Sequence, residues 1–295
     1  MLPFDPLMAA TPDAPAALQR SVTSLGAAGL VGEAIREAWS RRQLIRYLVQ
    51  ADLRKKGADT VLGNVWWILD PLLQMLVYVV LVEIIAPRTT PDYPLFIFAA
   101  ILPWKWFTSS VQDAISSVTS QDRLIKQIQF PKIVLPFAST MAGLVNFGFG
   151  LLGLAGLLVV FFVHRISPAM IAIIPIAFVQ LVFTLAFTFL VSSINVFYRD
   201  LGNVSRHALR LWFYLSPALY SLAAVDKIAA KSPLIGDVMR LNPFAVLFGS
   251  YRAVIYDKTA PDWVGLLILL VVSTLLLVLA TWWFKRLEPS FAKVL

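Results

Sequence analysis

The side chains that most often carry enzymatic or redox chemistry are few in this sequence, and none of them forms a recognisable catalytic pattern. The chain has no cysteine and two distant histidines, which excludes disulfides, zinc–thiolate centres, iron–sulfur clusters and thiol catalysis. It also has no Gly-Lys dipeptide, so it lacks the phosphate-binding loop of nucleotide hydrolases. We therefore predict no catalytic residue, no metal site and no cofactor in this chain.

Scattered carboxylates on one side of the predicted membrane segments are the remaining candidates for an enzyme. They could serve a membrane-embedded glycosyltransferase or polymerase, which stays open as an alternative function. However, they form no acidic pair, and a pair of carboxylates is the usual requirement for acid–base chemistry at a sugar. Positions in solvated loops explain them better: Asp92, Asp226, Asp237, Asp257 and Asp262.

Long uncharged stretches dominate the chain. Mean hydropathy is +0.76, and 59% of the residues are hydrophobic against 14% charged, as is typical of a membrane protein. Only the pair His164-Arg165 interrupts the stretch 133–198 with a charged or imidazole side chain. Each flank exceeds the roughly 20 apolar residues that cross a bilayer as a helix. The two flanks therefore predict a transmembrane helical hairpin. It lacks the acidic and lysine side chains that ion-coupled carriers place at membrane depth, so we expect the energy for its function to come from outside this chain.

The hydropathy pattern predicts an all-α membrane protein with six transmembrane helices. An amphipathic interfacial helix precedes them, and an external re-entrant or interfacial helix pair lies between spans five and six, where residues 241–248 are apolar but too short to cross. We divide the chain into a disordered N-terminal segment 1–31, a cytoplasmic interfacial helix region 32–65 and a transmembrane domain 66–295. The predicted spans are about 67–86, 93–112, 133–163, 166–198, 207–224 and 263–284.

The distribution of basic residues predicts the orientation in the membrane. Most of the 25 Lys and Arg residues fall in short flanks on one side of the predicted spans. Such flanks stay in the cytoplasm, so we expect a multi-pass protein with both termini cytoplasmic. Orientation and anionic lipid also explain the net charge of +8 better than nucleic acid does.

Short motifs follow one another in a fixed order along the chain. They are DLR at 52–54, LGNVWWILDP at 62–71, YPLF at 93–96, LPWKWF at 102–107, FPK at 130–132, LP at 135–136, FYRDL at 197–201, SPALY at 216–220, NPF at 242–244 and YR at 251–252. In this order they resemble the permease subunits of type-2 ABC exporters, in the branch that exports O-antigen, teichoic acid and other polysaccharides. The resemblance covers roughly residues 35–295. The chain departs from the pattern in its Pro-rich first 30 residues and at Lys105, where an uncharged residue is expected.

The resemblance implies that the chain is half of an exporter in the bacterial cytoplasmic (inner) membrane. Two copies form a homodimer around a central path, and two copies of a separate ABC ATPase subunit dock beneath it with ATP and Mg²⁺. The implied substrate is a lipid-linked polysaccharide, which moves to the outer face, and the other implied partners are membrane lipids. A drug or small-lipid exporter of the same superfamily is the first alternative.

Two cytoplasmic segments are candidates for coupling to the ATPase. The resemblance makes the charged, amphipathic segment 120–130 the coupling helix, with an ordinary interfacial loop helix as the alternative. The pair Arg199-Asp200, at the inner end of span four, either transmits the ATPase stroke to span five or closes a turn at the membrane boundary. The predicted coupling residues are Arg123, Leu124, Ile125, Ile128, Phe130, Arg199 and Asp200.

Aromatic clusters near the span ends are candidates for the substrate path. Sugars stack on aromatic faces, but aromatic belts at the headgroup level also anchor ordinary membrane proteins, and both interpretations stay open. Lys105 is a basic residue at membrane depth, and it either meets a pyrophosphate, snorkels outward or pairs with Glu83. The predicted path residues are Trp66, Trp104, Lys105, Trp106, Phe107, Trp212 and Tyr214.

Overall fold

The computed structural model describes residues 27–57, 61–85, 91–127, 130–220, 232, 239 and 241–295. Within these residues the chain is all-helical, with short 3₁₀ turns and one π turn at Ala253–Asp257. The ten described α-helices are α1 (Ala27–Ser40), α2 (Arg42–Gly57), α3 (Trp66–Ile85), α4 (Tyr93–Ser117), α5 (Asp122–Gln127), α6 (Val134–Phe161), α7 (Ile173–Phe197), α8 (Leu201–Leu215), α9 (Pro243–Arg252) and α10 (Trp263–Val294). Most of the segment predicted to be disordered lies outside the described residues.

Four of the described helices are long and apolar enough to cross a membrane. These segments are Tyr93–Ser117, Val134–Phe161, Pro168–Phe197 and Trp263–Phe291, and α3 adds a shorter apolar stretch, Trp66–Val82. The predicted all-α membrane architecture is therefore confirmed, and four of the six predicted spans have matching helices. A 3₁₀ turn at Val163–Arg165 lies between α6 and α7, where the sequence predicts a hairpin.

The helix at the predicted fifth span, 207–224, has different bounds. α8 begins at Leu201 and ends at Leu215, and Ser216 is extended. Ser216 precedes Pro217, and a proline disfavours helical geometry at the residue before it. Residues 221–224 of that predicted span lie outside the described residues. A helix of 15 residues rises about 22 Å, which is less than the hydrocarbon core requires. α8 therefore does not cross the membrane by itself.

The segment predicted to be re-entrant forms the short buried helix α9. The Asn242 side chain caps its start by accepting the Phe244 N–H, and Pro243 occupies the first helical position. The Phe244 ring packs 4.7 Å from that of Trp104, near the middle of α4. After α9, the Tyr256 hydroxyl donates to the carbonyl of Pro91, just before α4 begins. The chain thus returns from the middle of α4 to its start, with its backbone buried in protein.

The central helix of the fold is α4, which packs against α3, α6, α7, α8 and α9 and is buried along most of its length. The contact with α6 is close because glycine faces it. A Cβ built on Gly150 would lie 2.6 Å from Cδ1 of Leu102, whereas one built on Gly148 would meet nothing within 4 Å. Small residues allow membrane helices to approach each other in this way.

Gly150→Ile should destabilise the purified protein, because the new side chain would overlap Leu102 and force α4 and α6 apart. Overpacking of this kind costs about 1–3 kcal/mol. Thermal unfolding in detergent, followed by tryptophan fluorescence, measures the loss. Gly148→Ile is the matched control on the open side of the same helix and should leave the melting temperature unchanged. Equal losses in the two variants would contradict the close α4–α6 contact.

Candidate transport path and coupling site

A polar stripe lies on the exposed face of α8. Its residues follow helical spacing along one side of the helix, while Leu209 and Phe213 on the other side are buried. The Arg206 guanidinium donates to the Asn203 side chain within this stripe. The exposed residues of the stripe are Asn203, Arg206, His207, Arg210 and Tyr214.

Two contacts show that α8 lies beside one half of α4. Near its start, a Cβ built on Gly202 would lie 3.7 Å from Ile115, close to the end of α4. Near its end, the Trp212 ring lies 5.6 Å from that of Phe107, in the middle of α4. Because α4 is long enough to cross the membrane, we expect the Arg210 side chain, which lies between these points, to be at membrane depth. A charge at that depth requires water or a polar partner, so this face of α8 does not suit lipid.

The predicted path aromatics separate into a buried and an exposed set. Trp104, Trp106 and Phe107 are 6%, 2% and 0% exposed, whereas Trp66 and Tyr214 are 41% and 52% exposed. The buried rings pack on one another and on neighbouring helices within the chain. In this conformation Trp104 and Phe107 support the fold and do not line an open surface, whereas Trp106 borders a cleft between α3, α4 and α6.

The buried rings hold α8 and α9 against α4. Trp104 contacts Phe213 of α8 at 5.4 Å as well as Phe244 of α9. Trp212 is half-buried in the same group of rings, and its indole N–H donates to the Asn242 side chain. Edge-to-face and tilted contacts of this kind stabilise beyond the area that they bury.

Lys105 pairs with Asp70 of α3 across a cleft. Glu83, which the sequence offers as a partner, has a side chain outside the described residues. The Lys105 side chain is 31% exposed and that of Asp70 61%, so the pair remains accessible. Of the three roles predicted for this lysine, pairing with a carboxylate is the one that the geometry supports, with a different partner.

The predicted coupling residues lie near the C-terminal end of α4. Arg123 of α5 is exposed, but Ile125 is 6% exposed and belongs to a buried cluster with side chains of α1, α6, α7 and α10. Phe130 is partly buried against the same cluster. Ile128 and the side chain of Leu124 lie outside the described residues. Ile125 therefore anchors α5 to its own chain, so the apolar side of α5 is not all free for a partner.

A cleft of about 390 Å³ brings Arg199 together with α5, the predicted coupling helix. Asp122 of α5, Asn195 of α7 and the last residue, Leu295, line it as well. The Asn195 amide donates to the carbonyl of Ile115 at 2.8 Å and holds α7 against α4. Asp200 is exposed beside the cleft, immediately before α8 begins. The two segments predicted from sequence thus meet at one surface.

Charged side chains near this surface tie α1 to α10. Lys285 of α10 pairs with Glu37 of α1 and with Glu288, whose carboxylate accepts the backbone N–H of Lys132. Burial raises the pKa of the Glu37 carboxyl above its ordinary value, although Lys285 opposes that effect. The C-terminal parts of α1 and α10 therefore lie next to each other.

At the N-terminal end of α4, Asp92 links this helix to the turn between α6 and α7. Its carboxylate accepts hydrogen bonds from Arg165 at 2.8 Å and from His164 at 3.0 Å. Partial burial acts to raise the pKa of Asp92, but these two partners outweigh burial and hold the pKa below its ordinary value. The same guanidinium lies 4.5 Å from the Tyr256 ring centre. This carboxylate therefore has a structural partner, in place of the solvated position that we expected.

Known proteins resemble the chain along most of its length. It is 34% identical over 261 residues to the O-antigen export system permease protein RfbA of Myxococcus xanthus, covering 88% of this chain and 98% of that protein. This chain belongs to the O-antigen export permease family. Two RfbA permeases of Klebsiella pneumoniae are each 28% identical over 255 residues, which are 85% of this chain and 95% of each relative. No protein-family model matches the chain. The resemblance predicted from the motifs is thereby confirmed.

The permease carries candidate functional residues that sequence analysis did not single out. From sequence, His207 served only as one of two distant histidines and as the start of a predicted span, and Arg210 only as a basic residue near that start. Counted from Asn203, the residues His207, Arg210 and Tyr214 follow at four, seven and eleven positions. This helical spacing is the signal that places them on one face. The partner of Lys105 carried no such signal, because Asp70 lies on another helix.

Proposed function

We propose that this permease is the membrane subunit of an ATP-driven exporter and moves a lipid-linked O-antigen from the cytoplasmic to the outer face. The observation that carries the proposal is the polar stripe of α8, which lies beside one half of the candidate membrane span α4. For comparison, the exposed face of α10 is apolar over its length in the membrane, with residues such as Leu267, Val271 and Leu275. A face of the α10 kind suits lipid, whereas the stripe of α8 suits a path for a hydroxyl-rich or anionic substrate.

A second copy of the chain is proposed to complete the path. Next to α8, α3 exposes apolar side chains such as Val77 and Leu81, and its Tyr78 ring lies 5.7 Å from that of Phe213. If two chains meet along α3 and α8, both polar stripes face one path and neither faces lipid. In this arrangement Trp66 and Tyr214 line the path, and the buried rings around Trp104 keep α8 in place.

The energy is proposed to come from two copies of a separate ABC ATPase, which hold ATP and Mg²⁺. They dock where α5 and Arg199 share a cleft. Because α8 begins two residues after Arg199, a displacement of this surface would move the polar stripe. We place this surface and both termini in the cytoplasm, with α3 as one of the two remaining spans of six and α8 together with the chain that follows it as the other. The pairing of Glu37 with Lys285 supports a common side for both termini.

Arg210→Leu should reduce O-antigen at the cell surface and increase the intracellular lipid-linked pool, since the path loses an exposed cation. Hydrogen bonds to charged groups contribute about 1.5–3 kcal/mol, so export should fall about tenfold to a hundredfold. Surface labelling with an O-antigen antibody and gel analysis of the intracellular glycan measure the two pools at matched permease levels.

Arg286→Leu is the control for this test, because it removes an exposed basic residue of α10 that lies outside the stripe. It should leave export unchanged. Normal surface O-antigen with Arg210→Leu would rule out the stripe as the path. Glycan that is exported normally in cells lacking the gene would favour a drug or small-lipid exporter. Loss of glycan synthesis, instead of its accumulation inside, would favour a glycosyltransferase.

A further inference from the structure

A second polar cleft, of about 430 Å³, lies among α2, α3, α4 and α6. We call it the α3–α6 cleft. It extends along α4 from Leu102, near the middle of the helix, to Asp113. Its polar lining consists of the pairs Lys105–Asp70 and Lys56–Asp113 together with Ser109, Gln112 and Asn146. Such groups do not suit contact with hydrocarbon, so the cleft is built for water or for a polar ligand.

The charges that line the cleft cancel within it. Lys56 lies 2.7 Å from the Asp113 carboxylate and 3.0 Å from that of Asp52, and Lys105 pairs with Asp70. Burial disfavours the Lys56 ammonium, but the two carboxylates outweigh burial and raise its pKa above the ordinary value. A phosphate or pyrophosphate would have to break an ion pair and approach a carboxylate. A neutral, hydroxyl-rich molecule can instead donate to the carboxylates and accept from the ammonium groups.

Aromatic rings complete the lining, and two of the lining residues carry a buried polar atom without a partner. Trp66, Trp67, Trp106 and Phe147 form its apolar part. Within the described part of the chain, the buried indole N–H of Trp106 and the buried Oδ1 of Asn146 have no hydrogen-bond partner. Buried polar groups are normally paired, and a hydroxyl group, which both accepts and donates, could satisfy one unpaired donor and one unpaired acceptor among the lining residues.

We propose that the α3–α6 cleft is a carbohydrate-binding site, which holds a neutral sugar unit of the exported glycan. This proposal rests on the proposed function and adds a binding site separate from the stripe of α8. Tryptophan faces stack on the C–H surfaces of the sugar ring, while the two ion pairs and the amides bind its hydroxyls. The cleft then selects for sugar and not for the phosphate of the carrier.

Protection of a thiol in the cleft tests the site. The chain has no cysteine, so Ser109→Cys introduces a single reactive group that N-ethylmaleimide can label in the full-length protein in lipid nanodiscs. The probe is the O-antigen polysaccharide of the source strain, released from its lipid carrier by mild acid. At a concentration about tenfold above half-saturation, labelling should slow about tenfold, since only unliganded protein reacts. Inorganic pyrophosphate at the same concentration should give no protection.

Variants of α6 provide the matched controls in the Ser109→Cys background. Asn146→Ala removes the unpaired acceptor and should abolish protection by the polysaccharide. Val145→Ala changes an exposed neighbour outside the cleft and should retain it. Three results would each overturn the proposal: no protection by the polysaccharide, protection by pyrophosphate, or a thiol that does not react because lipid or a second copy covers it. Surface O-antigen in cells with and without the wild-type gene reports the proposed function independently of this site.

Discussion

Arg252→Met should remove most of the folded permease from the membrane and abolish export. Arg252 is 5% exposed, and its guanidinium donates to the carbonyls of Phe96, Pro217, Ala218 and Tyr220. It thereby ties α9 both to α4 and to the chain that follows α8. Removing it leaves buried carbonyls without a donor, and breaking such a charged network costs about 3–5 kcal/mol. That loss is a large part of the stability of an ordinary domain.

Membrane protein levels, thermal unfolding in detergent and surface O-antigen measure the effect of Arg252→Met. Arg252→Lys keeps the charge but lacks the planar fork of donors, so it should restore only part of the stability. Lys258→Met, at an exposed position shortly after α9, is the control and should behave like the wild type. A wild-type melting temperature for Arg252→Met would show that the position of α9 does not depend on this side chain.

Trp104→Ala should also act mainly through stability. The side chain is 6% exposed and contacts rings of α8 and α9. Truncating a buried aromatic residue costs about 3–5 kcal/mol, so we expect a much lower melting temperature and less assembled permease. From sequence alone, a ring that stacks on passing sugars would instead cost only about several-fold in export rate.

Trp66→Ala separates the two roles of the aromatic residues. Trp66 is 41% exposed, so its loss should leave the melting temperature nearly unchanged and reduce export. Thermal unfolding and surface O-antigen, measured on the same membrane preparations, distinguish the two variants. If Trp104→Ala keeps the wild-type melting temperature but slows export, the buried ring reaches the substrate in another conformation. That result would support the interpretation that Trp104 stacks on passing sugars.

The amino-acid sequence by itself determined the class of the protein and much of its secondary structure. Hydropathy over about 20 residues decides whether a helix can cross lipid, because each backbone polar group must be paired within the segment. This local property located four spans, the turn at His164-Arg165 and the buried segment that begins at Pro243. The ordered motifs also indicated the family, because each motif is a short run of neighbouring residues that can be recognised without the fold.

Only the tertiary structure decided which side chains face protein, a cleft or the exposed surface. Trp104 and Trp66 lie in similar aromatic motifs, yet the packing of α8 and α9 buries the first and leaves the second exposed. Lys105 meets a carboxylate 35 residues away, and Arg252 meets a carbonyl 156 residues away. Neither partner is visible in local periodicity, because helix packing and not sequence spacing brings such groups together. For the same reason, the position of the end of α8 beside the middle of α4 and the α3–α6 cleft became apparent only in the folded chain.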